Sequence, residues 1–130
     1  MAELKPGLVG QVSLVVEEKH TARHLGSGGV SVLATPIMIA LMEEAGRKAM
    51  EYLLEPGQLT VGAALDVKHL APTPMGMKVT ARAELLSVEG RMLTFHVEAH
   101  DELEKVGEGT HVRAIINLEK FLARVQSKAK

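Results

Sequence analysis

Apolar residues alternate with polar ones along five segments of this chain and crowd onto every side of a sixth, and that contrast sets the elements it predicts. Leu8 to Val16, Leu59 to Ala71, Met77 to Val88, Met92 to Asp101 and Gly107 to Leu118 carry the period-two pattern and β-branched content of strands. Glu89-Gly90-Arg91 supplies the turn between the third and fourth of them. Thr35 to Leu54 has the spacing of one helix, with Thr35 as N-cap, Pro36 at the first helical position and Pro56-Gly57 just past its end. Its first two turns are apolar all round, which predicts a helix enclosed by other structure. Glu119 to Lys130 extends as an amphipathic tail, with Phe121, Leu122 and Val125 on one side. Short turn-joined strands with one early helix predict an α+β fold, a single antiparallel sheet wrapped around one long helix. One domain accounts for residues 1–130, with no repeat or linker. The polar stretch from Glu17 to Gly29, with glycines at 26, 28 and 29, lacks the lysine and strand-to-helix context of a phosphate-binding loop; a mobile loop is expected there.

Three polar side chains sit among apolar neighbours. Within the helix, Glu44 shares a stripe with Lys48 and is an ordinary solvated residue, whereas Glu43 shares one with Ile39, Ala40, Gly46 and Met50. A pairing with Arg47, four residues on, would explain Glu43 without any chemistry. Period two along the second strand places Val61, Ala63, Leu65, Val67 and His69 on one face and Asp66 and Lys68 on the other, so His69 points inward. An inward Glu on the helix and an inward His on the strand suit an orienter and a general base. Thr35 is accounted for by helix capping, yet it also lies beside unpaired amides at the positive end of the helix, where a developing oxyanion could be held.

Composition narrows the classes of function. A formal charge of -1 argues against nucleic-acid or anionic-membrane partners. The absence of cysteine excludes disulfides and thiolate catalysis. No histidine pair has zinc-ligand spacing with a third ligand, so no metal is expected. No opening signal pattern and no bilayer-length apolar run make cytoplasmic the expected location. With aromatics at 2% and 7 Met, much of the core falls to aliphatic and methionine side chains. His96 and His100 alternate with Phe95 and Val97 on an exposed strand face, and His111 with Arg113 gives a polar, solvent-facing pair on the last strand. His20, Arg23 and His24 could border an entrance.

Val32-Leu33-Ala34-Thr35-Pro36, Met42-Glu43, Thr60-Val61-Gly62, Val67-Lys68-His69-Leu70-Ala71-Pro72-Thr73-Pro74 and Glu108-Gly109-Thr110-His111-Val112-Arg113 together resemble the fluoroacetyl-CoA thioesterase-like branch of the hotdog-fold acyl-CoA thioesterases, over nearly the whole chain. The resemblance implies a catalytic Thr, Glu and His at Thr35, Glu43 and His69, and a glycine at Gly62 that helps position the thioester. It also implies a homodimer, or a dimer of dimers, with sites near the interface. An exposed sheet edge independently invites a second copy. His24-Leu25-Gly26-Ser27-Gly28-Gly29 holds no aromatic residue and so offers no lid of rings over the acyl group.

The expected activity is hydrolysis of a small or medium acyl-CoA. His69 acts as base, Glu43 orients it or stabilises its protonated form, and Thr35 attacks or positions water, with direct attack by Glu43 to form an anhydride as the other route and no bound cofactor required. Lys68, His111 and Arg113 are the candidate contacts to the phosphates of coenzyme A. The alternatives are a hotdog-type enoyl-CoA hydratase and a noncatalytic acyl-CoA-binding module in which Glu43 is merely structural.

Overall fold

A computed structural model describes residues 3–129; the end of the predicted tail, Lys130, lies outside them. The elements run β1 (Val9–Val15), a 3-10 turn at Glu18–His20, α1 (Ala22–Leu25), α2 (Thr35–Met50) with a 3-10 extension at Glu51–Leu53, β2 (Gln58–His69), β3 (Lys78–Glu89), β4 (Met92–His100), β5 (Lys105–Asn117) and α3 (Leu118–Lys128). Each predicted strand is found within two residues of its expected ends. The five strands form one antiparallel sheet in the order β1-β3-β4-β5-β2, so β1 and β2 are its edges.

The core lies between the sheet and α2. Inward residues of β3 and β4, among them Val79, Ala81, Leu85, Leu93, Phe95 and Val97, meet Met38, Met42, Ala45, Ala49 and Met50 of the helix. Glycine sets how closely the layers approach. A side chain at Gly10 of β1 would run into the α2 backbone at Ala45 and Ala49, so only the absence of a Cβ lets the helix lie this close. The helix is not enclosed as expected: Pro36 and Ala40 are exposed, because the sheet covers only one of its sides. The presumed mobile stretch is instead tied down. Ala22 N–H donates to Val32 O at 2.8 Å, Leu33 N–H to Thr73 O at 2.8 Å, and Thr21 caps α1 through His24 N–H at 3.2 Å. The amphipathic tail is α3, capped by the Asn117 side chain, with Phe121, Leu122 and Val125 left on the surface.

One irregularity in β2 decides what faces the helix. Thr60 pairs with Ile115 and Gly62 with Arg113, but Ala63 is then skipped, and Ala64 pairs with Val112 and Leu65 with His111. This bulge reverses the alternation. Directly paired residues share a face, so Thr60 and Gly62 precede the bulge on the helix side while Leu65, Val67 and His69 follow it on that same side. Gly62 and His69 are an odd number of residues apart and would point oppositely in a regular strand; the bulge turns both toward α2. The simple odd-numbered face predicted from Val61 onward therefore holds only from Leu65.

Candidate active site

Thr35 opens α2 and His69 closes β2. Ala34, not Thr35, occupies the N-cap position, and no side chain caps this helix end. The Thr35 hydroxyl is committed elsewhere: Oγ1 lies 2.7 Å from His69 Nδ1. Capping therefore does not explain this threonine. With Thr35 donating, Nδ1 is the unprotonated nitrogen and Nε2 carries the ring proton; that Nε2 is shielded from water with no hydrogen-bond partner. Burial holds His69 below its ordinary value of 6.5, with the backbone of Ala71 pulling the other way, so near neutral pH the ring is an uncharged base. Thr35 itself is exposed and reachable by a substrate.

Glu43 forms a second group two helical turns along. It is half-buried, and Arg47 does not claim it: Arg47 pairs with Glu51 at 3.2 Å, while Glu44 and Lys48 pair at 3.6 Å as expected. The Glu43 carboxylate instead lies over β2, where a Cβ on Gly62 would come 2.5 Å from Oε2. Among the described residues no hydrogen bond joins Glu43 to His69, so within one chain it does not orient that ring.

Beneath Glu43 is a buried polar network. His111 is fully buried and Arg113 is 6% exposed, which overturns the solvent-facing expectation and removes both from the candidates for contacting carrier phosphates. The alternation misled because it is Val112 and Ala114 that point away from the helix, while the polar pair faces it under Gly46. Arg113 donates to Thr60 through Nε at 2.9 Å and through Nη2 to the Thr60 carbonyl at 3.1 Å, and Nη1 reaches His111 Nε2 at 3.1 Å. His111 Nδ1 faces the Ala64 carbonyl at 2.9 Å and can only donate there, so Nε2 must accept from Arg113 and the ring is neutral. Burial lowers the His111 pKa; the Ala64 carbonyl opposes this, Arg113 adds to it, and the Glu43 charge opposes it. A glycine on each facing element, Gly46 and Gly62, was the sequence signal that this region holds bulky polar groups.

Beside Thr35 and His69 opens a cleft of about 410 Å³, walled by the 22–33 segment on one side and by Leu70, Ala71 and Pro72 on the other. Sequence patterning did not find this wall, because α1 and the bends after it have no period. His20, Arg23 and His24 are not among its lining residues. Lys68 is exposed on the opposite face of β2 from His69. His96 and His100 do lie on the outer face of the sheet, around Glu98 at 2.8 and 3.5 Å. Among the described residues no three His, Asp or Glu side chains are placed to hold a metal ion, and no helix is long and apolar enough to cross a membrane.

A long helix cradled by a curled five-stranded antiparallel sheet, an architecture shared with solved thioesterases, makes this a hotdog-fold thioesterase. Residues 16–119 match the family described as fluoroacetyl-CoA-specific thioesterase, and the chain belongs to that family. It is 48% identical over 120 residues to a fluoroacetyl-CoA thioesterase of Streptantibioticus cattleyicolor, covering 88% of this chain and 86% of the relative. A solved fluoroacetyl-CoA thioesterase is 44% identical, with 98% of each chain covered and a TM-score of 0.91. A mutant of that enzyme in complex with acetyl-CoA is 43% identical, covering 98% of this chain and all, 100%, of the other, with a TM-score of 0.92. A thioesterase superfamily member from Thermus thermophilus is 31% identical, covering 99% and 96%, with a TM-score of 0.91.

Proposed function

We propose that this thioesterase hydrolyses small or medium acyl-CoA thioesters through Thr35, His69 and Glu43. The contact of 2.7 Å between Thr35 Oγ1 and His69 Nδ1 carries the proposal, because it places a hydroxyl and a neutral imidazole in proton-transfer range on the rim of an apolar cleft. His69 takes a proton from Thr35, or from a water that Thr35 holds, as oxygen attacks the thioester carbon. The carbon–sulfur bond then breaks and coenzyme A leaves as the thiol, taking the proton that His69 accepted. Where Thr35 attacked, the acyl group is left as an ester on its oxygen, and a water deprotonated by His69 hydrolyses that ester, releasing the acid and restoring Thr35. At the start of α2 the Thr35 amide favours the developing oxyanion, since Pro36 has no N–H and the Ile37 and Met38 amides already donate to the Ala34 carbonyl at 3.1 Å. Gly62 helps position the thioester by letting the Glu43 carboxylate rest on β2, and Lys68, exposed on the outer face of that strand next to His69 in sequence, contacts the carrier phosphates.

The enzyme works as a cytoplasmic homodimer. Support comes from β2, an edge strand of 12 residues with Leu59 and Leu65 exposed at 39% and 43%. Two β2 edges paired antiparallel about a two-fold axis near Leu65 bring His69 of each strand opposite Val61 and Gly62 of the other, which is where Glu43 lies. The test is thiol release from a panel of acyl-CoAs by the wild-type protein and by His69→Ala. The proposal expects a loss of about 10²- to 10⁴-fold in the variant; equal turnover by the two proteins would remove His69 from the mechanism.

A further inference from the structure

The cleft beside Thr35 is larger than a two-carbon acyl group requires, and its walls are apolar and small. It holds about 410 Å³, roughly a dozen waters' worth at about 30 Å³ each. An acetyl or fluoroacetyl group would fill only a fraction of that volume and would leave apolar wall in contact with water. The carrier arm is a poor occupant, since its amides and hydroxyl need polar partners. Apart from Thr35 and His69, the only polar side chain in the lining is Ser27. Ala22, Gly28, Val30, Val32 and Leu70 supply the rest of the surface that a chain would meet. The protein has three aromatic residues, Tyr52, Phe95 and Phe121, and none lines the cleft.

We infer that the acyl group is an unsubstituted aliphatic chain of roughly six to eight carbons, laid along this cleft with Gly28 as the residue that admits its far end. The inference rests on the thioesterase proposal and refines its substrate. Gly28 is suited to the role. A Cβ built there meets only the Ala22 Cβ, at 3.4 Å, and Ala22 is itself part of the lining, so a larger side chain would occupy the cleft without striking backbone. Its backbone is also not in the left-handed region, which leaves substitution free of conformational strain.

The experiment measures kcat/KM for acetyl-, fluoroacetyl-, butyryl-, hexanoyl- and octanoyl-CoA with the wild-type protein, Gly28→Leu and Val30→Phe. Val30 is 58% exposed on the rim, so its substitution narrows the cleft without touching the core should Gly28→Leu fold poorly. In the wild type, kcat/KM is expected to rise about three- to fourfold per added methylene up to hexanoyl. The narrowed variants are expected to lose at least tenfold on hexanoyl-CoA while keeping acetyl-CoA turnover within about twofold. A wild-type optimum at acetyl or fluoroacetyl overturns the inference and leaves thioester hydrolysis standing, as do variants that lose both chain lengths equally. Absence of turnover on every thioester by folded protein overturns the thioesterase proposal itself.

Discussion

Gly62 and Glu43 occupy each other's space: a Cβ on Gly62 would come 2.5 Å from Glu43 Oε2 and 3.4 Å from His111 Cε1. The carboxylate can rest on β2 only because position 62 has no side chain. The obstructing atom is the end of a flexible side chain, so Gly62→Ala should displace Glu43 without breaking the fold. The expected result is a fall in kcat of about 10²-fold with a Tm within a few degrees of wild type, since small misplacements of catalytic groups carry penalties of that size. Full activity in Gly62→Ala would show that the position of Glu43 does not matter to turnover.

Much of this arrangement was legible in the sequence, and the misses share a cause. Strand limits, the long helix and the inward aim of His69 follow from periodicity, which measures which face of an element is buried. A bulge adds one residue without changing composition, so the switch at Ala63 that sets Gly62 and His69 on one face left no trace in the pattern. His111 and Arg113 read as solvent-facing because polarity usually marks the outer face. Here the polar face is buried and its donors are met by Thr60 and Ala64, partners that become adjacent only through strand pairing. Thr35 fitted a helix cap, and only the fold brings His69 to it from 34 residues away.

Thr35 and His69 act through one hydrogen bond, which predicts an ordered series at position 35. Thr35→Ser keeps the hydroxyl and should retain activity within about tenfold, whereas Thr35→Val, of nearly the same shape, should lose about 10²- to 10⁴-fold, like His69→Ala. Thiol-release rates would decide it. Val matching Ser would mean that the hydroxyl takes no part.

The pH dependence follows from the direction of two shifts. Burial depresses the pKa of His69 in the folded chain below 6.5, and the neutral ring is the active form. The acid limb of kcat/KM should therefore have an apparent pKa below 6.5, with activity largely kept at pH 6.5. Stability moves in the same sense. Unfolded chains take up protons on these histidines first, so the stabilisation present above about pH 6.5 is lost as pH falls through the depressed values of His69 and His111. Tm at pH 5.5 should lie below Tm at pH 7.5, and a midpoint of the acid limb above 6.5 would contradict the burial argument.

Gly10 gives a test of stability away from the chemistry. Its added Cβ would come 2.6 Å from Ala49 N and 3.0 Å from Ala49 Cα, and backbone cannot swing aside as a side chain can. Gly10→Ala should destabilise by about 1–3 kcal/mol, read as a drop in Tm of several degrees. Because α2 would be pushed from the sheet at its far end from Thr35, chemistry per folded molecule should change much less than stability.

The quaternary proposal can be tested through β2, whose outer edge has no hydrogen-bonding partner strand among the described residues. Such an edge is usually blunted by charge or proline, yet from Gln58 to Leu65 this strand has neither, and its charges are confined to Asp66 and Lys68 near one end. Light scattering should give twice the chain mass of 14.0 kDa. Leu65→Lys puts two like charges near the two-fold axis and should shift the species toward monomer. If Glu43 reaches the partner's Thr35–His69 pair, that monomer should fold, yet turn over at least 10²-fold more slowly, and raising protein concentration should restore rate and dimer together. A wild-type monomer with full activity would rule out a shared site, and Glu43 would then have to act from within its own chain by moving off Gly62.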